Sequence, residues 1–170
     1  MSDFNDNEIL RDRNGKLVVL PKGQFVYRLN GRDRKKSASY YTPEVLTKST
    51  VKYTLKGFVE KLDSGEMKAE DLLKLKILEP AMGAAAFQNE VINQVAELYL
   101  RYRQKERNQH ISPHLYRDEL QKVKAYIATK NIYGVDLNPT AIELGKLSLW
   151  LNVIHKDMET PFFGHRIALG

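Results

Sequence analysis

Two carboxylates stand where this chain could do chemistry. Glu79 closes the apolar run Leu75-Lys76-Ile77-Leu78, and Asp136 closes Ile132-Tyr133-Gly134-Val135. Runs of this length bounded by turn residues read as strands. Pro80-Ala81-Met82-Gly83-Ala84-Ala85-Ala86-Phe87 follows the first and Leu137-Asn138-Pro139 the second. A small-residue turn at a strand end lets backbone approach a ligand, and the helix behind it offers unpaired N–H groups. An acidic residue ahead of that turn repels phosphate and suits a cationic group such as an amine. The bland alternative is a tight strand-to-helix turn with packing alanines. The G-x-G-x-x-G fingerprint that admits a pyrophosphate is absent, which argues against a nicotinamide-dependent dehydrogenase. Asp136 can accept both hydroxyls of a ribose, as strand-end acids do in nucleotide-binding folds. Its alternative role is to cap the helix that starts at Pro139. Asn138 is better placed as that cap, which leaves Asp136 free for a ligand.

The elements that position these groups alternate. Asn14-Gly15 signals a hairpin turn between the strand-like Lys16–Leu20 run and its neighbours, and Gln24–Leu29 alternates polar and apolar residues. A basic connector, Asn30 to Ser37, follows. Thr42-Pro43-Glu44 opens a helix, with Thr42 as N-cap and Pro43 in the first turn. Leu46, Tyr53, Phe58, Val59 and Leu62 are available for its buried face, and Asp63-Ser64-Gly65 stops it. A short helix (68–73) precedes the Glu79 strand. After its turn, Phe87, Val91, Val95, Leu98 and Tyr102 mark one apolar helical stripe. A charged stretch, 101–108, and a break at Pro113 lead to a helix over 115–128. After the Asp136 strand comes an apolar helix over 142–151, then a last strand, Arg166–Leu169. This order predicts an α/β, Rossmann-like parallel sheet with helices on both faces, preceded by a small β-hairpin unit. The expected domains are 1–36, hairpin and connector, and 37–170, the ligand-binding unit.

Composition sets bounds. With 170 residues, 42% of them hydrophobic and 28% charged, the chain suits a globular fold with a buried core. No apolar run approaches the roughly 20 residues of a membrane span, and the start of the chain is no signal peptide. Cysteine is absent, so disulfides and thiolate metal sites are out, and a cytoplasmic location is expected. His110 and His114 are separated by Pro113 and offer no metal site. The net charge of +6 suits a polyanionic partner, although it equally describes a plain basic protein.

Three segments together resemble the adenine-N6 DNA methyltransferases of restriction-modification and phage-defence systems. These are Tyr40-Tyr41-Thr42-Pro43, Glu79-Pro80-Ala81-Met82-Gly83, and Gly134-Val135-Asp136-Leu137-Asn138-Pro139 with the following Ala141–Leu151 helix. The resemblance runs from Ser37 to Gly170. It implies S-adenosyl-L-methionine as cofactor, double-stranded DNA as partner, and no metal. Tyr41, Thr42, Glu79, Pro80, Ala81, Met82, Gly83, Phe87, Asp136, Leu137 and Asn138 would form the cofactor site. Within it Thr42 would hold the methionine carboxylate, Asp136 the ribose, and Leu137 would pack on the adenine. The family turn reads G-S-G or G-S-A where this chain has Gly83-Ala84-Ala85. If residue 85 needs positive φ, alanine is strained there by about 1 kcal/mol or more. The separation of Glu79 from Asp136 also far exceeds the about 20 residues of a compact nucleotide-binding unit; an added helix with a charged loop accounts for it.

The family's Asn-Pro-Pro-Tyr loop, which holds the flipped base, has no counterpart here. No catalytic residue is therefore assigned. The chain reads as the cofactor-binding front part of a parent enzyme that also carries a target-recognition domain. Rival readings are an S-adenosylmethionine enzyme acting on RNA or protein, and a non-catalytic nucleic-acid-binding module with a vestigial cofactor site. Arg32, Arg34 and Lys35, with Arg28 and Lys36 nearby, are candidate contacts to DNA backbone. If they touch phosphates, replacing Arg32, Arg34 and Lys35 by Ala in the parent enzyme weakens binding to all sequences alike. The log-log salt slope then falls by about 0.9 per lost contact; an unchanged slope in filter binding identifies a solvated loop.

Overall fold

The computed structural model describes residues 14–19, 42–156, 158, 161 and 163–170. The chain divides into two units, Met1–Arg32 and Asp33–Gly170. In the first, Asn14 lies in a turn, Gly15 has φ +79°, and Leu17 forms a single bridge. Gly15 thus takes the left-handed conformation that Asn-Gly pairs favour. The Gln24–Leu29 run, the basic connector with Arg32, Arg34 and Lys35, and Tyr40-Tyr41 lie outside the described residues.

The second unit contains α1 (Glu44–Ser64), α2 (Ala69–Leu72), β1 (Ile77–Glu79), α3 (Ala86–Arg107), α4 (Pro113–Lys130), β2 (Ile132–Asp136), α5 (Pro139–Val153) and β3 (Ile167–Leu169). The strands form a parallel sheet in the order β1-β2-β3, with Ile77 opposite Ile132 and Gly134 opposite Ile167. The α/β class and parallel sheet agree with the sequence; helices on both faces do not. Ile132 and Ile167 are buried in one core with residues of α3, α4 and α5. The opposite face carries Leu78, which is 61% exposed, and the exposed Ala168. Strand order explains this. Successive right-handed crossovers that step across a sheet in one direction put all their helices on one side, and only a reversal of direction covers the other.

α3 is the central helix and packs against α1, α2, α4, α5 and β1. Ile92, Val95, Ala96, Tyr99, Leu100 and Tyr102 are buried around it, whereas Phe87, Val91 and Leu98 from the expected stripe are only partly covered. A helix surrounded by neighbours buries more than one stripe. The charged stretch is no loop, because its polar groups are anchors. The Tyr102 hydroxyl donates to Asp63 at 2.6 Å, Glu106 accepts from the Ala69 N–H at 2.8 Å, and Arg107 pairs with Glu70 at 3.3 Å. Pro113 begins α4 rather than breaking the chain.

In α1 the buried residues are Thr47, Val51, Leu55 and Leu62, while Leu46 and Tyr53 face solvent. The cap of α1 is Pro43, not Thr42, and it makes no side-chain hydrogen bond. Gly65 ends the helix at φ +78°, as expected of a glycine stop.

Two glycines let the helical layer approach the sheet. A Cβ on Gly134 would lie 2.6 Å from Met82 Sδ and 2.7 Å from Gln88 Nε2. One on Gly145 of α5 would lie 2.4 Å from Met82 Cε. Met82 is therefore wedged between strand and helix. Gly134→Ala is expected to destabilise the fold by about 1–3 kcal/mol through overpacking. Urea denaturation measures this, and an unchanged midpoint would show that Met82 can move aside.

Candidate functional site

Because β1 and β2 are parallel neighbours with Glu79 opposite Gly134, the turns after Glu79 and Asp136 leave the sheet at the same edge. Backbone joins them first: the Met82 N–H donates to the Val135 carbonyl at 3.0 Å. The Asp136 carboxylate joins them again. One oxygen accepts from the Gly83 N–H at 2.8 Å and the other from the Asn138 N–H at 2.8 Å. Asn138 caps α5, its side chain accepting from the Thr140 N–H at 3.0 Å. The cap is the expected one, but Asp136 is not left free by it. Each backbone amide bonded to a carboxylate contributes about 1.5–3 kcal/mol. A carboxylate has about four lone-pair positions, so two remain for a ligand.

The other expected site residues separate into two groups. Pro80 and Ala81 are exposed, and half-buried Glu79 receives the Ala81 N–H at 3.3 Å. Gly83 is half-buried with φ +52°. Leu137 is 83% exposed beside Asp136 and offers a flat apolar surface. Together with Asp136 and Asn138 these residues lie at the carboxyl ends of β1 and β2. Met82 joins them only through its backbone, because its side chain is 3% exposed and points into the core. Phe87 is half-buried and lines, with Glu79, a cavity of about 410 Å³ between β1, α3 and the Val51, Leu55 and Phe58 side of α1. Thr42 is half-buried just outside α1 and is hydrogen-bonded to neither turn among the described residues. Tyr41 lies outside them.

Sequence reasoning missed Gln88. It is 1% exposed, lines the same cavity, and neither of its amide atoms has a hydrogen-bond partner among the described residues. A polar residue one place after Phe87, on the first turn of an apolar-striped helix, was the available signal. Among the described residues no group of His, Asp or Glu could hold a metal ion.

Ala85 sits at φ +65°, ψ +30°, fully buried, at the N-cap of α3 with no side-chain cap. This is the left-handed conformation that the departure from glycine put in question. The N–H groups of the first turn of α3 lack intrahelical partners and receive no side-chain cap.

No protein-family model matches the chain. Over 111 residues it is 31% identical to a protein of Methanocaldococcus jannaschii described as a "putative type II restriction enzyme and methyltransferase". The match takes in 64% of this chain and 8% of that protein. The chain is its distant relative.

The strain at residue 85 has a measurable size. A non-glycine residue in this conformation costs about 1–3 kcal/mol. Ala85→Gly relieves that, but loses a buried methyl worth about 0.8 kcal/mol and loosens the unfolded chain by about 0.4–1 kcal/mol. The expected net change runs from about 1 kcal/mol destabilising to about 2 kcal/mol stabilising, whereas Ala85→Val costs more than about 2 kcal/mol, because a β-branched side chain resists this conformation in a buried site. Equal urea midpoints for Ala85→Val and the parent would refute the strain.

Proposed function

We propose that the chain binds S-adenosyl-L-methionine and is the cofactor-binding part of a DNA methyltransferase that modifies adenine N6 in a restriction-modification or phage-defence system. The observation that carries this reading is the pair of strand-end turns tied together by the Asp136 carboxylate. The donor set suits the cofactor. Asp136 keeps two acceptor positions for the ribose hydroxyls, and exposed Leu137 provides a face for the adenine ring. Glu79 gives a negative charge for the amino group of the methionine part. The uncapped first turn of α3 would provide N–H groups for the cofactor. Thr42 would hold the methionine carboxylate. When bound, the cofactor supplies a methyl group attached to a sulfonium.

The relative's description combines a restriction enzyme with a methyltransferase, which supports DNA rather than RNA or protein as substrate. The chain spans 8% of that protein, so target recognition and the base-holding loop are proposed to lie elsewhere in a longer parent. The net charge of +6 fits a polyanionic substrate.

Asp136 tests the reading because it has two roles that can be separated. In the parent protein, Asp136→Ala is expected to weaken S-adenosylhomocysteine binding by about 10- to 150-fold, the loss of a charged hydrogen-bonded pair. Calorimetry gives that number, and urea unfolding without ligand gives the cost of losing the bridge between the turns. A variant that is destabilised yet binds S-adenosylhomocysteine like the parent would leave Asp136 as a structural bridge only and reject the assignment.

A further inference from the structure

Gln88 stands one place after Phe87 on the first turn of α3 and is 1% exposed. Neither its amide oxygen nor its amide nitrogen meets a hydrogen-bond partner among the described residues. Burying such a group unpaired costs stability that an apolar side chain of similar size would not. The amide belongs to the wall of the cavity of about 410 Å³ between β1, α3 and α1. Glycine at position 134 leaves it room, since a Cβ there would lie 2.7 Å from Gln88 Nε2. Much of the same wall is apolar: Val51, Leu55, Phe58, Ile77 and Val91. Other polar side chains of the wall are bonded elsewhere. The Thr54 hydroxyl donates to the Thr50 carbonyl at 2.9 Å, Lys76 Nζ donates to the Lys130 carbonyl at 3.4 Å, and Glu79 accepts from the Ala81 N–H at 3.3 Å.

We propose that this cavity is a small-molecule site separate from the cofactor's, which takes a planar ring bearing an amide-type edge, one donor beside one acceptor, read by Gln88. A carboxamide meets such an edge with two parallel hydrogen bonds, as glutamine does on the edge of a base. Small-ligand sites are commonly spaces of roughly 300–1,000 Å³ with apolar walls and a few placed polar groups. Water serves this amide poorly. A buried water needs about two to four polar partners, and the apolar side chains on this wall supply none. The inference does not rest on the cofactor reading. The cavity shares Glu79 and Phe87 with the residues placed in that site, and Gln88 is not one of them.

Benzamide carries the required edge, and acetophenone has nearly the same shape with a methyl in place of the amide nitrogen. Each is titrated into the isotope-labelled 170-residue chain while the backbone amides of Phe87 to Val91 are followed by NMR. Benzamide is expected to half-saturate at about 1 mM or below, and to bind at least about tenfold more tightly than acetophenone. This comparison is made on the parent chain and needs no variant to fold. In Gln88→Leu the preference for benzamide is expected to vanish. The urea midpoint of that variant is expected to be unchanged or higher, because the unpaired amide is gone. Excess S-adenosylhomocysteine is expected to leave benzamide binding as it was. No saturable shift with benzamide, equal affinity for the two probes, a preference that survives in Gln88→Leu, or displacement by S-adenosylhomocysteine overturns the proposal.

Discussion

One carboxylate holds the strand-end turns in register. The hydrogen bonds of Asp136 to the Gly83 and Asn138 amides tie the turn of one parallel strand to that of its neighbour. The Gly170 N–H donates to the Asp136 carbonyl at 3.1 Å, so β3 is tied to the same residue. The start of α3 lies on one side of this group and the cap of α5 on the other. Because both of its oxygens accept from backbone amides, the geometries of the two turns are linked through it.

Behind the turns, the layer is closed by a fit of unequal sizes. Met82 occupies the space that glycines leave in β2 and α5, and this brings the turn down onto the core. The same turn ends in Ala85, in a conformation glycine adopts more easily. A Cβ added at Gly145 of α5 would stand 3.6 Å from the Ala85 methyl, so the turn lies close to that helix.

Much of this arrangement was legible in the sequence where the signal is local. The Asp136 strand, the Asn138 cap, the glycine stop at residue 65 and the Glu79 turn all depend on neighbouring residues. The separation of Glu79 from Asp136 was legible too, since α3 and α4 fill it. What escaped depends on distant partners. Asp136 looked free because its second acceptor serves Gly83, more than fifty positions away. On α1, Leu62 is buried and Phe58 and Val59 partly covered as expected, but Leu46 and Tyr53 face solvent, because a helix packed mainly on one other buries a narrow stripe. Helices on both faces were expected because composition does not record strand order.

Strand order also bears on how the chain folds. β1 cannot pair with β2 until the segment between them has turned back on itself, and that segment contains both α3 and α4. Closing so long a loop is slow unless local structure shortens it. The two helices do so, since each forms from near neighbours and they pack against one another. Pairing of β1 with β2 is therefore the contact that spans the longest loop, and the Asp136 bridge between the two turns depends on it.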